Sequence, residues 1–177
     1  MFLQGSEILF AFTDKLPRGY ADTPILLSGA QSIDEKNREY LLLKQNDTIQ
    51  KVFEIRFKAF AGPNKEAVIF NKLLVVGHYQ FLYLFDLVSD TSMVRSELSG
   101  YFGHLYVNNN QLFVSDARSV YCFDSRGKMT WKNSGLGIDG VFISDFDKEK
   151  IHGSGQWDPP DGWRDFVLNR DSGYQIR

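Results

Sequence analysis

One pattern that occurs twice, at a distance of about forty residues, constrains this chain more than any other feature. In each copy an Asn precedes an apolar run, a short polar break follows, and a second apolar run ends in Asp. The first copy extends from Asn71 to Asp86 and the second from Asn110 to Asp124, so the asparagines are 39 residues apart and the aspartates 38. A repeat of about 40 to 45 residues made of four short strands is typical of a propeller blade.

Short apolar runs of strand length occur along the whole sequence, separated by clusters of Asn, Asp, Gly and Ser that favour tight turns. Aromatic residues, which also favour strands, make up 15% of the chain. A third copy of the repeat has Lys150–His152 as its first strand and Phe166–Asn169 as its second, and an eroded copy spans Tyr40–Phe70. Helical periodicity is weak, and the best candidate is Ser32–Leu43, where Asp34-Glu35-Lys36 could open one or two helical turns before a strand.

The length and the repeat together predict the fold class. At about forty residues per unit, 177 residues make about four units. We therefore expect a single all-β domain over residues 1–177. It should be a small propeller-like array of about four antiparallel four-stranded blades, either a four-bladed or an incomplete ring, with at most one short helix. The segment Gly135–Gly140 has the spacing G-x-G-x-x-G, but a strand-like run follows it instead of a helix, so we predict a loop between blades.

The residues from Val120 to Trp131 carry a resemblance to a known family. A strand ends in Asp124, a turn with Gly127 and Lys128 follows, and Trp131 comes next. This stretch resembles the repeat of quinoprotein-like propellers of the pyrroloquinoline-quinone type, in which such a Trp packs between blades. The resemblance implies a propeller fold. It brings no cofactor site with it, because no cofactor-contact motif of that family is present, and we expect no cofactor.

Charge and cysteine content bear on partners and location. The formal net charge is -2 and the isoelectric point is about 5.9, which does not favour bulk binding to nucleic acid. Cys122 is the only cysteine, so no internal disulfide can form, and a reducing compartment is expected. The N-terminal residues lack the pattern of a secretory leader, and no apolar run approaches the ~18 residues of a membrane span. We predict a cytoplasmic protein with no membrane partner.

Catalytic and metal-binding patterns are weak. The three histidines, His78, His104 and His152, occupy non-equivalent positions in different repeats, so no metal site is predicted. No G-x-S-x-G elbow is present, because Gly153-Ser154-Gly155 lacks the required spacing. We predict that the protein is not an enzyme.

The segment Gln156–Asp165 interrupts the last repeat and is the best candidate for a binding loop. Two tryptophans flank a stiff Asp-Pro-Pro-Asp-Gly turn, and aromatic side chains on a preorganised loop are typical of interface hot spots. Acidic residues predominate nearby, with seven acids against three bases between Ser134 and Asp165. The predicted partner-binding residues are Trp157, Asp158, Asp161, Trp163, Asp165, Asp139 and Asp145. The alternative is that both tryptophans fold back and cap a blade.

These residues favour a module that binds a basic protein. In its most specific form the hypothesis is a bacterial immunity-type inhibitor that covers the active site of a toxin such as a nuclease. One alternative is a propeller that binds a small ligand or a carbohydrate, or an enzyme, at the centre of the ring. Another is a structural subunit that completes its ring by self-association.

Overall fold

The computed structural model describes residues 8–58, 62–158 and 162–176, and over these residues the chain forms four antiparallel-type sheets in sequence order. The first sheet contains β1 (Ile8–Thr13), β2 (Ile25–Leu26), β3 (Asn37–Gln45) and β4 (Thr48–Phe57). The second contains β5 (Lys65–Phe70), β6 (Leu73–His78), β7 (Phe81–Asp86) and β8 (Thr91–Glu97). The third contains β9 (Phe102–Asn108), β10 (Gln111–Asp116), β11 (Ser119–Phe123) and β12 (Met129–Ser134). The fourth contains β13 (Val141–Phe146), β14 (Lys150–Gln156) and β15 (Trp163–Asn169).

The second and third sheets are simple meanders in which each strand pairs with the next. The fourth sheet has three strands, and Gln175 adds a single bridge to Leu168 at its edge. The first sheet differs, because its order is β1-β3-β4-β2 and β2 runs parallel to β4. The all-β, propeller-like array of four sheets is therefore confirmed, and the segment Gly135–Gly140 connects the third sheet to the fourth as predicted.

The forty-residue period places equivalent residues of neighbouring sheets side by side. The Asn71 side-chain amide donates to Asn110 Oδ1 at 3.0 Å, across the turns that open two successive repeats. Trp131 Nε1 donates to the carbonyl oxygen of Arg170, also 39 residues away, at 3.0 Å. Stacked sheets of one size bring residue i next to residue i+39, so these contacts are the spatial form of the sequence repeat.

Two sequence predictions near the N-terminus were wrong. The one or two helical turns expected to open at Asp34-Glu35-Lys36 are absent; a single 3-10 turn lies at Ala30–Ser32 instead, and the strand expected to follow is β3, which begins at Asn37. Burial on both sides of β3, between β1 and β4 in the sheet, outweighs the weak local helical signal. The eroded copy at Tyr40–Phe70 is divided between two sheets, because the first sheet ends with β4 and the second begins with β5.

Three apolar cores hold the four sheets together. Along β6, Leu74 and Val76 pack with the first sheet, whereas Leu73 and Val75 pack with the third. Because side chains alternate along a strand, a continuous apolar run such as this one serves two cores at once. The core between the third and fourth sheets contains Phe113, Cys122, Ile151 and Phe166, among others.

No apolar core within residues 8–58, 62–158 and 162–176 joins the fourth sheet to the first, so the array is an open arc of four sheets. The outer face of the first sheet has its own small cluster, in which Tyr20 from the β1–β2 connection packs over Tyr40, Leu42 and Val52. Among the described residues the helical structure is a single 3-10 turn, and no helix has the length and apolar character needed to span a bilayer.

The stretch from Val120 to Trp131 forms a tight turn followed by a tryptophan packed between two sheets. Asp124 Oδ1 accepts hydrogen bonds from the amides of Arg126 and Lys128 at 2.9 and 3.0 Å, and Gly127 adopts φ 78° in the same turn. Trp131 lies between the third and fourth sheets, with its ring centre 6.0 Å from that of Phe113. The turn and the tryptophan therefore have structural roles in stacking the sheets.

Candidate functional site

Among the described residues, no neighbouring sheet covers the outer face of the fourth sheet. Inner strands of the middle sheets are buried on both sides, as β6 and β11 show along their whole length. Buried and more exposed residues alternate along β13 and β14 instead, which is the pattern of strands with one covered face. We call this uncovered surface the outer face.

Register defines which side chains share the outer face. Phe142, Ser154 and Asp165 lie opposite one another across the three strands, and Gln156 lies opposite Trp163. Residues paired in an antiparallel sheet point to the same side of it. Asp145 pairs with His152, which in turn pairs with Val167, so these three also belong to the outer face.

Large apolar side chains are exposed on this face. Trp163 is 55% exposed and Phe142 is 43% exposed. The segment beyond β15 adds Tyr174 at 77% and Ile176 at 37%; its backbone bonds to Asn169 and Val167 place it along the edge of the sheet. Single exposed apolar residues are ordinary on protein surfaces, but several on one sheet face indicate an interaction surface.

The structure separates the two predicted tryptophans. Trp163 is on the outer face, whereas Trp157 is half-buried on the other side of the hairpin, where the Arg164 guanidinium lies 5.1 Å from its ring centre. Trp157 therefore folds back onto the sheet, as in the alternative prediction, whereas Trp163 is exposed, as expected of a binding residue. The β14–β15 hairpin closes through the bond from the Trp157 amide to the Gly162 carbonyl at 2.7 Å.

The predicted carboxylates are divided in a similar way. Asp165 and Asp145 are exposed on the outer face, and Asp158 is exposed in the hairpin loop. Asp139 is exposed at the end of the fourth sheet, close to Trp163, because the intervening Gly140 packs near the Trp163 ring. Asp161 lies outside the described residues.

A small cleft of about 260 Å³ lies beside the outer face, at the beginning of β9 and β13. Its lining includes Tyr101, His104, Asp139, Phe142 and Trp163. The polar groups here are paired with one another: the Tyr101 hydroxyl donates to Asp139 Oδ1 at 3.1 Å, and burial and this carboxylate raise the Tyr101 pKa. His104 Nδ1 lies 2.5 Å from Glu66 Oε1 on the preceding sheet.

The three histidines belong to three separate sites. Each pairs with its own carboxylate: His78 with Glu39 at 2.7 Å, His104 with Glu66, and His152 with Asp147 at 3.2 Å. Over the described parts of the chain, no three His, Cys, Asp or Glu side chains are grouped in a way that could hold a metal ion. Asp147 instead organises the β13–β14 turn, and the Glu149 amide and the His152 side chain lower its pKa.

Sequence reasoning missed part of the outer face. Phe142 lies in a short run, Val141 to Ser144, whose alternation shows that one side is apolar but does not show which side is covered. Tyr174 and Ile176 follow Gly173; the cluster Arg170–Gly173 predicts the turn before them, but not that the segment after it returns along β15. The signal that would have found them is the alternation of polar and apolar residues continuing past Asn169.

Comparisons with known proteins support the fold. No family model matches the sequence, and the search of curated proteins found no match either. Among solved structures the chain is similar to BamB from Moraxella catarrhalis, with a TM-score of 0.54 and 13% identity over 78% of this chain and 42% of BamB. Hydrazine synthase from Kuenenia stuttgartiensis gives a TM-score of 0.55 and 8% identity over 87% of this chain and 47% of that one.

The computationally designed Ika4 protein gives a TM-score of 0.52 and 13% identity, over 84% of this chain and 98% of Ika4. BamB is a β-propeller protein, and the sheets of this chain superimpose on part of it. The chain has a propeller-type fold. It spans less than half the length of BamB and of hydrazine synthase, and the comparisons do not single out the quinoprotein type of repeat.

Proposed function

We propose that this chain is a non-enzymatic module that binds a basic protein through the outer face of its fourth sheet. The observation that carries the proposal is the set of exposed apolar side chains on one uncovered sheet face, among them Phe142, Trp163 and Tyr174. Aromatic side chains present a large contact area and lose little conformational entropy on binding, which makes them frequent hot spots.

The charge around the outer face supports a basic partner. Between Ser134 and Asp165 the chain has seven acidic and three basic residues. On the face itself Asp145 and Asp165 are exposed, and Lys150 is the basic residue at the far end of β14. Such a field accelerates association with a positively charged surface and makes the rate sensitive to salt.

In its most specific form the proposal is an immunity-type inhibitor that covers the basic active site of a nuclease toxin in the cytoplasm. An acidic, aromatic surface on a rigid sheet suits this task, because it matches a site built to bind phosphate groups. The support is the chemical complementarity between this surface and such a site.

The test uses the full chain as bait in an extract of its native host, followed by measurement of affinity with the purified partner. We expect a basic protein at one-to-one stoichiometry whose affinity falls with rising salt. Trp163→Ala should weaken binding by about thirtyfold, since truncating a hot-spot side chain costs about 2 kcal/mol or more. Asp165→Lys should mainly slow association.

Met129→Ser is the matched control, because Met129 is 51% exposed but lies on the third sheet. It should leave affinity unchanged. The proposal fails if no stoichiometric partner is recovered, or if Trp163→Ala binds as tightly as the Met129→Ser control. An immunity role in particular requires that the purified chain inhibit the partner's nuclease activity.

A further inference from the structure

A second surface, unconnected with the outer face, has the features of a ligand site. A cavity of about 400 Å³ lies between the first and second sheets, at the end where β6 turns into β7. Its volume falls within the range of about 300 to 1,000 Å³ that is usual for small-molecule pockets. It is lined by Gln31, Glu35, Phe57, Lys58, Tyr79, Gln80, Phe81, Arg95 and Glu97.

Glu35 and Arg95 form the polar floor of this cavity. Arg95 Nη2 lies 3.1 Å from Glu35 Oε1, and the guanidinium carbon is 4.4 Å from the centre of the Phe81 ring. The Glu35 side chain is only 6% exposed and that of Arg95 16%. The two residues are 60 positions apart in sequence and come from different sheets, so the fold itself brings them together.

Two buried polar atoms of this pair have no hydrogen-bond partner among the described residues: Glu35 Oε2 and Arg95 Nε. Tyr83 lies directly opposite Arg95 in the β7–β8 register but does not line the cavity; burial raises its pKa to about 12, and a hydrogen bond with the Arg95 side chain opposes that rise. An unsatisfied buried polar group costs about 1 to 3 kcal/mol, so two such atoms on the floor of one cavity point to a ligand that satisfies them.

The wall of the cavity includes a residue in an unusual backbone conformation. Tyr79 has φ 53°, in the left-handed region that bulky residues seldom adopt. Its amide donates to the carbonyl of Asn64, and its own carbonyl accepts from Phe102, so both sides of the peptide are held by neighbouring segments. Such conformations are concentrated at binding sites, and this one turns an aromatic side chain towards the cavity.

We infer that this cavity binds a neutral, polyhydroxylated ligand, a mono- or disaccharide. The lining holds two acidic residues, Glu35 and Glu97, and two basic residues, Lys58 and Arg95, so its charges balance and a charged ligand would gain little. A hydroxyl group donates and accepts, and vicinal hydroxyls can therefore serve the Glu35 acceptor and the Arg95 donor together. Phe81, partly exposed beside the more buried Phe57 and Tyr79, offers apolar surface to the C–H face of a sugar ring.

The test is titration of the purified full chain with D-glucose, D-galactose, D-mannose, maltose and lactose, followed by saturation-transfer NMR and calorimetry. We expect saturable binding of at least one sugar. Glu35→Gln keeps the shape of the side chain but replaces the acceptor, and it should weaken that binding about tenfold or more. Glu149→Gln makes the same chemical change at an exposed residue of the β13–β14 turn, and this control should bind the sugar like the wild type.

Gln31→Trp provides a second variant, because Gln31 is exposed at the mouth of the cavity and a larger side chain there would close it. It should abolish sugar binding without touching the core. The inference is overturned if no sugar in the panel binds saturably, if glycine or inorganic phosphate binds in place of the sugars, or if Gln31→Trp binds sugar as the wild type does. Because the outer face is not involved, these results are independent of the test for a protein partner.

Discussion

At the scale of single residues, His78 links the first two sheets through a buried polar contact. Its side chain is fully buried, and its Nε2 lies 2.7 Å from Glu39, whose other oxygen is 2.5 Å from Lys65 Nζ. Burial lowers the His78 pKa, so at neutral pH the contact is a hydrogen bond from a neutral imidazole. Burial alone would raise the pKa of Glu39, but hydrogen bonds from His78 and Lys65 outweigh it and lower the pKa.

This geometry predicts that acid destabilises the protein in two stages. In the unfolded chain His78 takes up a proton below about pH 6.5, whereas the buried imidazole resists protonation. Stability is therefore complete above that pH and falls as the pH decreases through it, by at most about 1.4 kcal/mol per pH unit for one proton. Glu39 contributes stability above about pH 4.5 that is lost as the pH falls through its lower, folded-state pKa.

Urea unfolding between pH 7.5 and 5.0 measures the first stage. His78→Gln should flatten the dependence between pH 6.5 and 5.0, because the group that titrates in the unfolded chain is gone. Gln50→Asn, at an exposed position and with no change in any titratable group, is the control and should leave the slope unchanged. Equal slopes for wild type and His78→Gln would contradict the assignment of the buried imidazole.

At the scale of elements, the turns at the outer edges of the sheets hold the stack together. The turn after β7 reaches the preceding sheet through the ion pair of Asp90 with Lys51 at 2.5 Å. The turn after β11 places Gly127 against Leu73 and Leu84, and the turn after β15 places Gly173 against Trp131. Each of these turns therefore contacts the sheet before it. The regular stacking of the repeats depends on the close approach of each turn to the preceding sheet.

Gly127→Ala tests this contact. A methyl group at Gly127 would lie 2.6 Å from Leu84 Cδ2 and 2.8 Å from Leu73 Cδ1, both on fully buried side chains, and φ is 78°. We expect a loss of about 2 to 4 kcal/mol, the sum of left-handed strain and overpacking. Gly135→Ala is the matched control, because Gly135 has φ 80° but no atom within 4 Å of an added methyl.

The control should lose about 1 to 2 kcal/mol from the backbone term alone. The difference between the two variants, measured by chemical unfolding, isolates the packing of the turn against the second sheet. If Gly127→Ala lowers the free energy of unfolding no more than Gly135→Ala does, the turn does not pack against the second sheet.

At the scale of the whole molecule, the arc has three cores for four sheets. The second and third sheets are covered on both sides, whereas the fourth is covered on one. The first sheet protects its outer side with its own connection, through Tyr20 over Tyr40, Leu42 and Val52. Within residues 8–58, 62–158 and 162–176 the fourth sheet has no such cover, and its outward side mixes polar residues with the aromatic residues of the proposed interface.

Hydrogen exchange should follow this order. We expect the slowest exchange in β6, β7, β10 and β11, because opening them disrupts two cores. Faster exchange is expected in β13 to β15, where one core is lost. Mass spectrometry of exchanged peptides measures this directly, and uniform protection across all four sheets would contradict an open arc. Binding of the proposed protein partner should slow exchange in β13 to β15 and leave β6 and β7 unchanged.

Particular residues show which parts of the fold can be predicted from the sequence. Local features of the sequence determined the strand order of the second and third sheets. These features are the spacing of Asn71 and Asn110, the turn at Asp124 to Gly127 and the continuous apolar strands. They suffice because hairpin pairing depends on local turn chemistry and on side-chain alternation. Local signals of this kind survive in a single sequence. They also predicted the loop at Gly135–Gly140 between sheets.

Tertiary structure alone decided what lies opposite each sheet face. Partners distant in sequence explain three features of the fold. They are the parallel pairing of β2 with β4, the start of β3 at Asn37, and the separation of Trp157 from Trp163. Alternation shows that a strand has two different faces, but the same pattern suits a face against a core and a face against solvent. The stacking of whole sheets brings Glu35 next to Arg95 and leaves the arc open at one end. Local spacing in the sequence does not predict either feature.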